Sequence, residues 1–499
     1  MNRRTSGVIA GSLLAIGGVI GGGAYAATTP PPGLPWTDVL RNLAQYGASQ
    51  VAAETPPVYV PSPTLHPVPT ARCDTASRPL REAMQGRVSA ADIASPGGRT
   101  GWTCNVTQVS HVATPGGFRT WRYTDHSGHT CAFYDTSLSA PLTIFSPLAG
   151  PSLGTAVVDI TNPAKPFQTA MLMSLAMLSP HESLNLNTPR GLLAAEVGNA
   201  ATLPGTMDIY SVAADCRHPK MLSETLIAMG HESGFSPDGR TFWIGSATAY
   251  IYAYDVSNPT HPGLLWTGAY YSHGLSFAPD GKTMYQTDPV NGNIAILDVS
   301  QIQNRVAHPV VKEIKRITWP TVSIPQNTQY FTNNGHRYLL EFDEFAFRIN
   351  PPTMADTPGA ARILNIDHPG RPRIVSDLRL QVQMPANHKI ANADPYPLAS
   401  VSVVGYGSHY CSVPTTNNPH LAACSDLNSG PRIFNISNPA APYEVAYFIN
   451  PPRAANLLPS LQGVVAFSMP TWDVTRHQVI YTDAVGGMYV LQLHSNVWK

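Results

Sequence analysis

One unit recurs along this chain: an apolar strand ending in Asp or Asn, a short polar turn, and a proline seven residues after that Asp or Asn. It reads Val157-Val158-Asp159-Ile160-Thr161-Asn162-Pro163 with Pro166, and again Tyr252-Ala253-Tyr254-Asp255-Val256-Ser257-Asn258-Pro259 with Pro262. It returns as Ile363-Leu364-Asn365-Ile366-Asp367 with Pro372 and as Ile433-Phe434-Asn435-Ile436-Ser437-Asn438-Pro439 with Pro442. Looser copies stand at Ile209-Tyr210-Ser211-Val212 with Pro219 and at Ile294-Ala295-Ile296-Leu297-Asp298, and Met488-Tyr489-Val490-Leu491 is a seventh strand of the same kind. A unit this short cannot bury its apolar faces alone, so the repeat demands neighbours stacked on it.

Each such strand is preceded by signals for two more. His231 leads into Phe235-Ser236-Pro237-Asp238-Gly239-Arg240, and His273 leads into Phe277-Ala278-Pro279-Asp280-Gly281-Lys282. Pro-Asp-Gly supplies a preset φ, a side chain that caps the turn and a residue free to take positive φ, which is a hairpin. With 241–246 and 283–287 as return strands and a proline-led outer strand, four antiparallel strands fill about 45 residues, the blade of a β-propeller. Counting from one innermost strand to the next puts blade starts near His111, His181, His231, His273, Gln326, His409 and Ser468. The chain is therefore predicted to be all-β, a seven-bladed propeller over 101–499. The last unit holds three strands and 103–110 is a spare one, so this N-terminal strand is predicted to complete the last blade and close the ring.

The Val157-Val158-Asp159-Ile160 and Leu297-Asp298-Val299 strands with their Asn-Pro turns resemble the LVIVD-repeat proteins, a group of bacterial exported propellers. The resemblance covers most of the chain from about residue 100 onward. It implies the fold and implies no settled activity, since propellers host unrelated functions.

The N-terminus adds a compartment. Met1-Asn2-Arg3-Arg4 is basic, 8–20 is apolar and Gly-rich, and Ala24-Tyr25-Ala26-Ala27 is a small-residue cleavage site, so 1–26 reads as a secretory signal peptide. Arg3-Arg4 is compatible with twin-arginine export, although Thr5-Ser6-Gly7 lacks the apolar residues expected next. Prolines punctuate 27–70, and 27–100 is read as a Pro-rich linker or arm, with a helix expected only over 36–53. Six cysteines follow the leader, an even number that favours disulfides in a secreted or periplasmic protein. Six cysteines allow 15 pairings; Cys411 and Cys424 are close enough to bridge two strands of one hairpin, across the turn Asn417-Asn418-Pro419. Lys plus Arg and Asp plus Glu both total 31, and charged residues are 12% of the chain. That balance supplies no basic stripe for nucleic acid, and no apolar run after the leader is long enough to span a membrane.

The polar feature with most chemical content is positional. His181-Glu182-Ser183 and His231-Glu232-Ser233 are identical triplets, and His273 and His409 begin two further blades. Innermost strands line the central channel, so equivalent positions should meet around its mouth. Neutral imidazoles converging there suit a divalent zinc, iron or copper ion, with about one ion per chain held by His181, His231, His273 and His409. Glu182 and Glu232 are expected to orient imidazoles through their other ring nitrogen. The competing reading of such histidines is structural, as hydrogen-bonders between blades. Glu341 and Asp343 alternate onto one face with Glu344 on the other, read as a solvated or hydrogen-bonded edge. His126 and His129 flank Gly128 in a hairpin turn and read as surface residues. No Gly-x-Ser-x-Gly elbow or phosphate loop is present. Two function classes follow: a metal-dependent enzyme, oxidoreductase or lyase, acting on a small molecule at the channel mouth, or a non-catalytic scaffold that binds a protein or glycan.

Overall fold

A computed structural model describes residues 55–136, 154–198, 205–227, 230–245, 250–348, 353–354, 358–395, 405–454 and 462–498. Seven antiparallel sheets of four ring-forming strands each make up the propeller. Blade 1 is Thr120–Thr124, Thr130–Asp135, Thr155–Asp159 and Phe167–Leu172; blade 2 runs from Asn185–Asn187 to Lys220–Ile227, and blade 3 from Glu232–Phe235 to Gly263–Ala269. Blades 4, 5 and 6 run from Leu275–Phe277 to Lys312–Thr318, from Ile324–Asn333 to Arg373–Asp377, and from Cys411–Ser412 to Tyr443–Ile449. Blade 7 takes Thr471–Asp473, Gln478–Asp483 and Gly487–Leu493 from the end of the chain, and its outermost strand is Val106–Val112.

The repeat has this sequence because every blade is buried on both faces. Seven apolar clusters fill the seven junctions between neighbouring blades. Side chains alternate across a strand, so Val157 packs toward blade 2 while Val158 packs toward blade 7. Ile433 likewise faces blade 7 and Phe434 faces blade 5. A strand with one wet face would show polar residues at every second position; here the two residues before the terminal Asp or Asn, as at Val157-Val158 and Ile433-Phe434, are apolar on both faces.

That terminal residue and the proline turn have distinct jobs. Asp159, Asp255, Asn365 and Asn435 each accept a hydrogen bond from the backbone N–H two residues on, at 2.8–3.3 Å, which turns the chain out of the sheet. The proline carbonyl in the turn then serves the neighbouring blade. Ser110, Ser223 and Ser376, on outermost strands, donate from Oγ to the carbonyls of Pro163, Pro259 and Pro439 at 2.6–2.7 Å. In all seven blades the pairing of the outermost strand carries a register shift. The extra residue is Thr169, Leu222, Leu265, Ile314, Val375, Val445 or Val109, a β-bulge that increases the local twist. The serine that reaches the next blade follows the bulge in blade 7, where Ser110 succeeds Val109, and flanks it in blades 2 and 5.

Two boundaries differ from the sequence reading. His111, expected to begin blade 1, lies on the outermost strand of blade 7 and stacks on Tyr489 at 4.5 Å between ring centroids; blade 1 begins at Phe118-Arg119. The single strand expected at 103–110 is two. Trp102–Cys104 pairs with the outer edge of blade 6, the chain breaks at Asn105 with φ +56°, and Val106–Val112 enters blade 7. Asn105 tolerates that backbone and fixes it by donating from Nδ2 to the carbonyls of Arg72 and Val445.

Residues 55–104 lie along blades 4 to 6. Val58–Tyr59 adds a short parallel strand to blade 4, the Val68 N–H donates to Arg379 O beyond blade 5, and the Glu444 N–H on blade 6 donates to Pro69 O. Cys73–Cys104 ties this segment to itself, Cys131–Cys216 links blades 1 and 2, and Cys411–Cys424 joins directly paired residues of blade 6. Three disulfides are the chemistry of an oxidising compartment. The expected leader at 1–26, the helix at 36–53 and the start of the 27–100 arm lie outside the described residues. Among those described, no helix is long and apolar enough to cross a membrane.

Candidate metal centre

At one end of the channel each blade contributes one side chain to a closed ring: Phe118, His181, His231, His273, Gln326, His409 and Phe467 in blade order. Each residue sits just before or at the start of its innermost strand, which is why sequence position mapped so directly onto the ring. The turns entering these strands are held by buried carboxylates at the ends of second strands. Asp135 accepts from the Phe118 N–H, Asp343 from the Ser323 N–H and Asp483 from the Val465 N–H. Burial pushes Asp135 up to about 7.

All four predicted histidines come together, around Glu182. Its Oε2 lies 3.0 Å from His231 Nε2 and 3.4 Å from His273 Nε2, and its Oε1 lies 3.3 Å from His409 Nε2 and 2.7 Å from Gln326 Nε2. His231 Nε2 and His273 Nε2 are 3.3 Å apart. Three imidazoles have their other nitrogen occupied: Nδ1 of His231 lies 3.0 Å from Gly198 O, that of His409 2.8 Å from Phe467 O, and that of His273 3.0 Å from Glu232 Oε2. Acceptors at Nδ1 put its proton there and turn the Nε2 lone pair toward the axis.

Glu182 was expected behind an imidazole, in the orienting position. Its oxygens instead face Nε2 atoms, where a ligand oxygen would stand. His181 takes φ +51°, an uncommon conformation for a residue with a β-carbon, and its imidazole lies against Phe118 with centroids 4.1 Å apart while the next residue, Glu182, turns inward. His181 approaches Glu182 Oε2 through Nδ1 at 3.6 Å. Burial lowers its pKa to about 3, so the ring is neutral.

Glu344 belongs to the same centre, its Oε1 3.2 Å from His273 Nε2 and its Oε2 3.3 Å from His409 Nε2. The sequence reading placed Glu344 on the opposite face from Glu341 and Asp343 but left all three at an edge. Alternation holds and the edge does not. Glu341 and Asp343 are fully buried against the Arg362 guanidinium, which stacks on Trp319; burial raises the Glu341 carboxyl well above its usual range.

Three buried carboxylates, Glu182, Glu232 and Glu344, meet one guanidinium here, that of Arg119 on Glu232. Glu232 also accepts from Asn327 Nδ2. Among the described residues the ionic partners of Glu182 and Glu344 are imidazoles alone. Burial penalises the charge on each, yet the surrounding histidines outweigh it and hold both carboxyls below the ordinary range. Burial likewise opposes charge on His273 and His409, but Glu182 and Glu344 raise both. The cluster therefore requires cations, either protons on imidazoles or metal ions.

The distances suit metal. Ligands about 2.0–2.2 Å from a tetrahedral ion lie about 3.3–3.6 Å from one another, and octahedral ones about 3 Å. The contacts of His231, His273 and His409 Nε2 with the oxygens of Glu182 and Glu344 span 3.0–3.4 Å. Access comes from one side: the side chains of His181 and His231 keep 19% and 16% of their surface exposed, against 7% and 1% for His273 and His409. A second acidic group, Asp125, His129 and Asp215, lies beside the Cys131–Cys216 bridge. Asp125 is committed there to the backbone of Ser127, His129 and Cys216, and His126 is exposed.

Fold and site together define a seven-bladed propeller with a buried histidine–carboxylate centre on its axis. No protein-family model matches the sequence, and no curated relative does. Among solved structures, a functionally unknown protein from Desulfotomaculum acetoxidans DSM 771 aligns at 12% identity over 67% of this chain and 89% of its own, with a TM-score of 0.42.

Arg119 is the buried guanidinium paired with Glu232 behind His273. Arg119→Met should cost about 3–5 kcal/mol, the penalty for stranding a buried charge, and adding Glu232→Gln should recover most of it. Urea unfolding of both variants checks this; equal losses in the single and double variants would show that packing of Arg119 over Tyr410, 4.9 Å away, carries the effect.

Proposed function

We propose that this is an exported LVIVD-repeat propeller that binds a divalent transition ion, zinc, iron or copper, at its axis and acts as a metal-dependent enzyme, an oxidoreductase or a lyase. The observation that carries the reading is the convergence of His231, His273 and His409 Nε2 on the carboxylates of Glu182 and Glu344, with each Nδ1 tied back to a carbonyl or to Glu232. His181 completes the ring as a fourth candidate ligand on its open flank.

The roles of the residues follow from placement. His231, His273 and His409 present neutral nitrogen, and Glu182 with Glu344 supplies the negative charge that favours a divalent ion over water. Phe118 and Phe467 close the ring on one side and exclude water, which strengthens every charge interaction inside. The partly exposed edges of His181 and His231 leave a path for a small molecule. A bound ion would supply Lewis acidity or an activated water without any protein nucleophile.

Two measurements test this reading. Protein purified without chelator or a nickel column should carry stoichiometric transition metal, and His231→Ala should lower the content by about one ion per chain while its thermal unfolding stays near that of the parent. Metal-free parent protein after reconstitution would instead favour a non-catalytic scaffold for a protein or glycan. N-terminal sequencing of protein from its host should begin near Ala27; a retained Met1 would contradict export.

A further inference from the structure

Resting on the reading of the axis as a metal centre, we infer that it is built for two ions bridged by Glu182 and Glu344. Each oxygen meets its own set of nitrogens. Glu182 gives Oε2 to His231 and His273 and Oε1 to His409. Glu344 repeats the division, Oε1 to His273 and Oε2 to His409. A carboxylate serving one ion would turn both oxygens, or one alone, toward a single group of nitrogens. Here two carboxylates from different blades each divide their oxygens between the same two loci.

The first locus has His231 Nε2, His273 Nε2, Glu182 Oε2 and Glu344 Oε1. The second has His409 Nε2, Glu182 Oε1 and Glu344 Oε2. Gln326 borders the second: its Nε2 lies 2.7 Å from Glu182 Oε1 and 3.1 Å from His409 Nε2, and its Oε1 is buried without a partner. Half a turn of that amide brings the oxygen to the locus as a fourth ligand. Glu182 Oε2, at the first locus, is also buried without a hydrogen-bond donor among the described residues, so an unsatisfied acceptor stands at the first locus and another, on Gln326, stands beside the second. Carboxylate bridges hold ions about 3.5–4 Å apart in two-metal sites, a spacing at which one small molecule can be gripped by both. Two nitrogens at the first locus against one at the second make the first the tighter for zinc or copper.

Titration of chelator-stripped full-length protein with Zn(II) alone, read by elemental analysis after removal of free ion, distinguishes the possibilities. Two equivalents should bind, the second more weakly. His409→Ala should retain one. Glu344→Gln, which keeps the shape of a side chain whose ionic partners are imidazoles, should weaken the second equivalent at least tenfold and keep the fold even if His409→Ala does not. One equivalent in the parent would overturn the two-ion inference and leave the single-ion reading standing. Two equivalents undiminished in Glu344→Gln would place the second ion elsewhere and also overturn it. Zero equivalents would remove both.

Discussion

Every blade of this ring must bury both its faces, and that single constraint determines most of what else is seen. It forces apolar residues onto consecutive positions of the third strands, as at Val157-Val158 and Ile433-Phe434, because each neighbour faces a different junction. At the strand ends Asp159, Asp255, Asn365 and Asn435 turn the chain, and polar groups within third strands, such as Arg362 and Arg432, are buried against carboxylates. It also makes closure indispensable: an open seam would expose the cluster that joins Ala132 and Val158 to Ile480 and Val490. The strand Val106–Val112 meets that need by hydrogen bonding, since it is the outermost strand of a blade otherwise made from the far end of the chain.

The axial centre is a by-product of the same ring put to use. Seven innermost strands that start at one level bring seven equivalent side chains within reach of one another. Four of those positions hold histidine, one glutamine and two phenylalanine. Carboxylates buried among them are expensive unless cations accompany them, and among the described residues Glu232 alone of the three meets a guanidinium. Glu182 and Glu344 stay ionised because imidazoles surround them, so the charge of the centre is set by what its histidines hold.

Much of this was legible from the chain, and the gaps have physical causes. Local turn chemistry and both-face burial repeat at fixed spacing, so the seven blades and the phase shared by His181, His231, His273 and His409 could be read directly, as could the hairpin that pairs Cys411 with Cys424. Blade 1 was misplaced because its ring position carries Phe118, which has no polar mark, while His111 seven positions earlier looked like the missing member. Glu344 was assigned to the right face by alternation, but what that face meets depends on blades 2, 4 and 6 closing around it, which no local pattern encodes. The inward turn of Glu182 comes beside the positive φ of His181, a backbone state that a non-glycine residue does not announce. A signal was available for the ring glutamine: Gln326 occupies a blade start in the same phase as the histidines.

Metal on the axis has a direct crystallographic signature. Diffraction at the absorption edge of the bound ion, on crystals of the full protein grown with that ion, tests it most directly. The expected result is an anomalous peak about 2.0–2.2 Å from the Nε2 atoms of His231 and His273 and from an oxygen of Glu182. A peak confined to Asp125, His129 and Asp215, with the axial imidazoles still paired to one another and to Glu182, would contradict it.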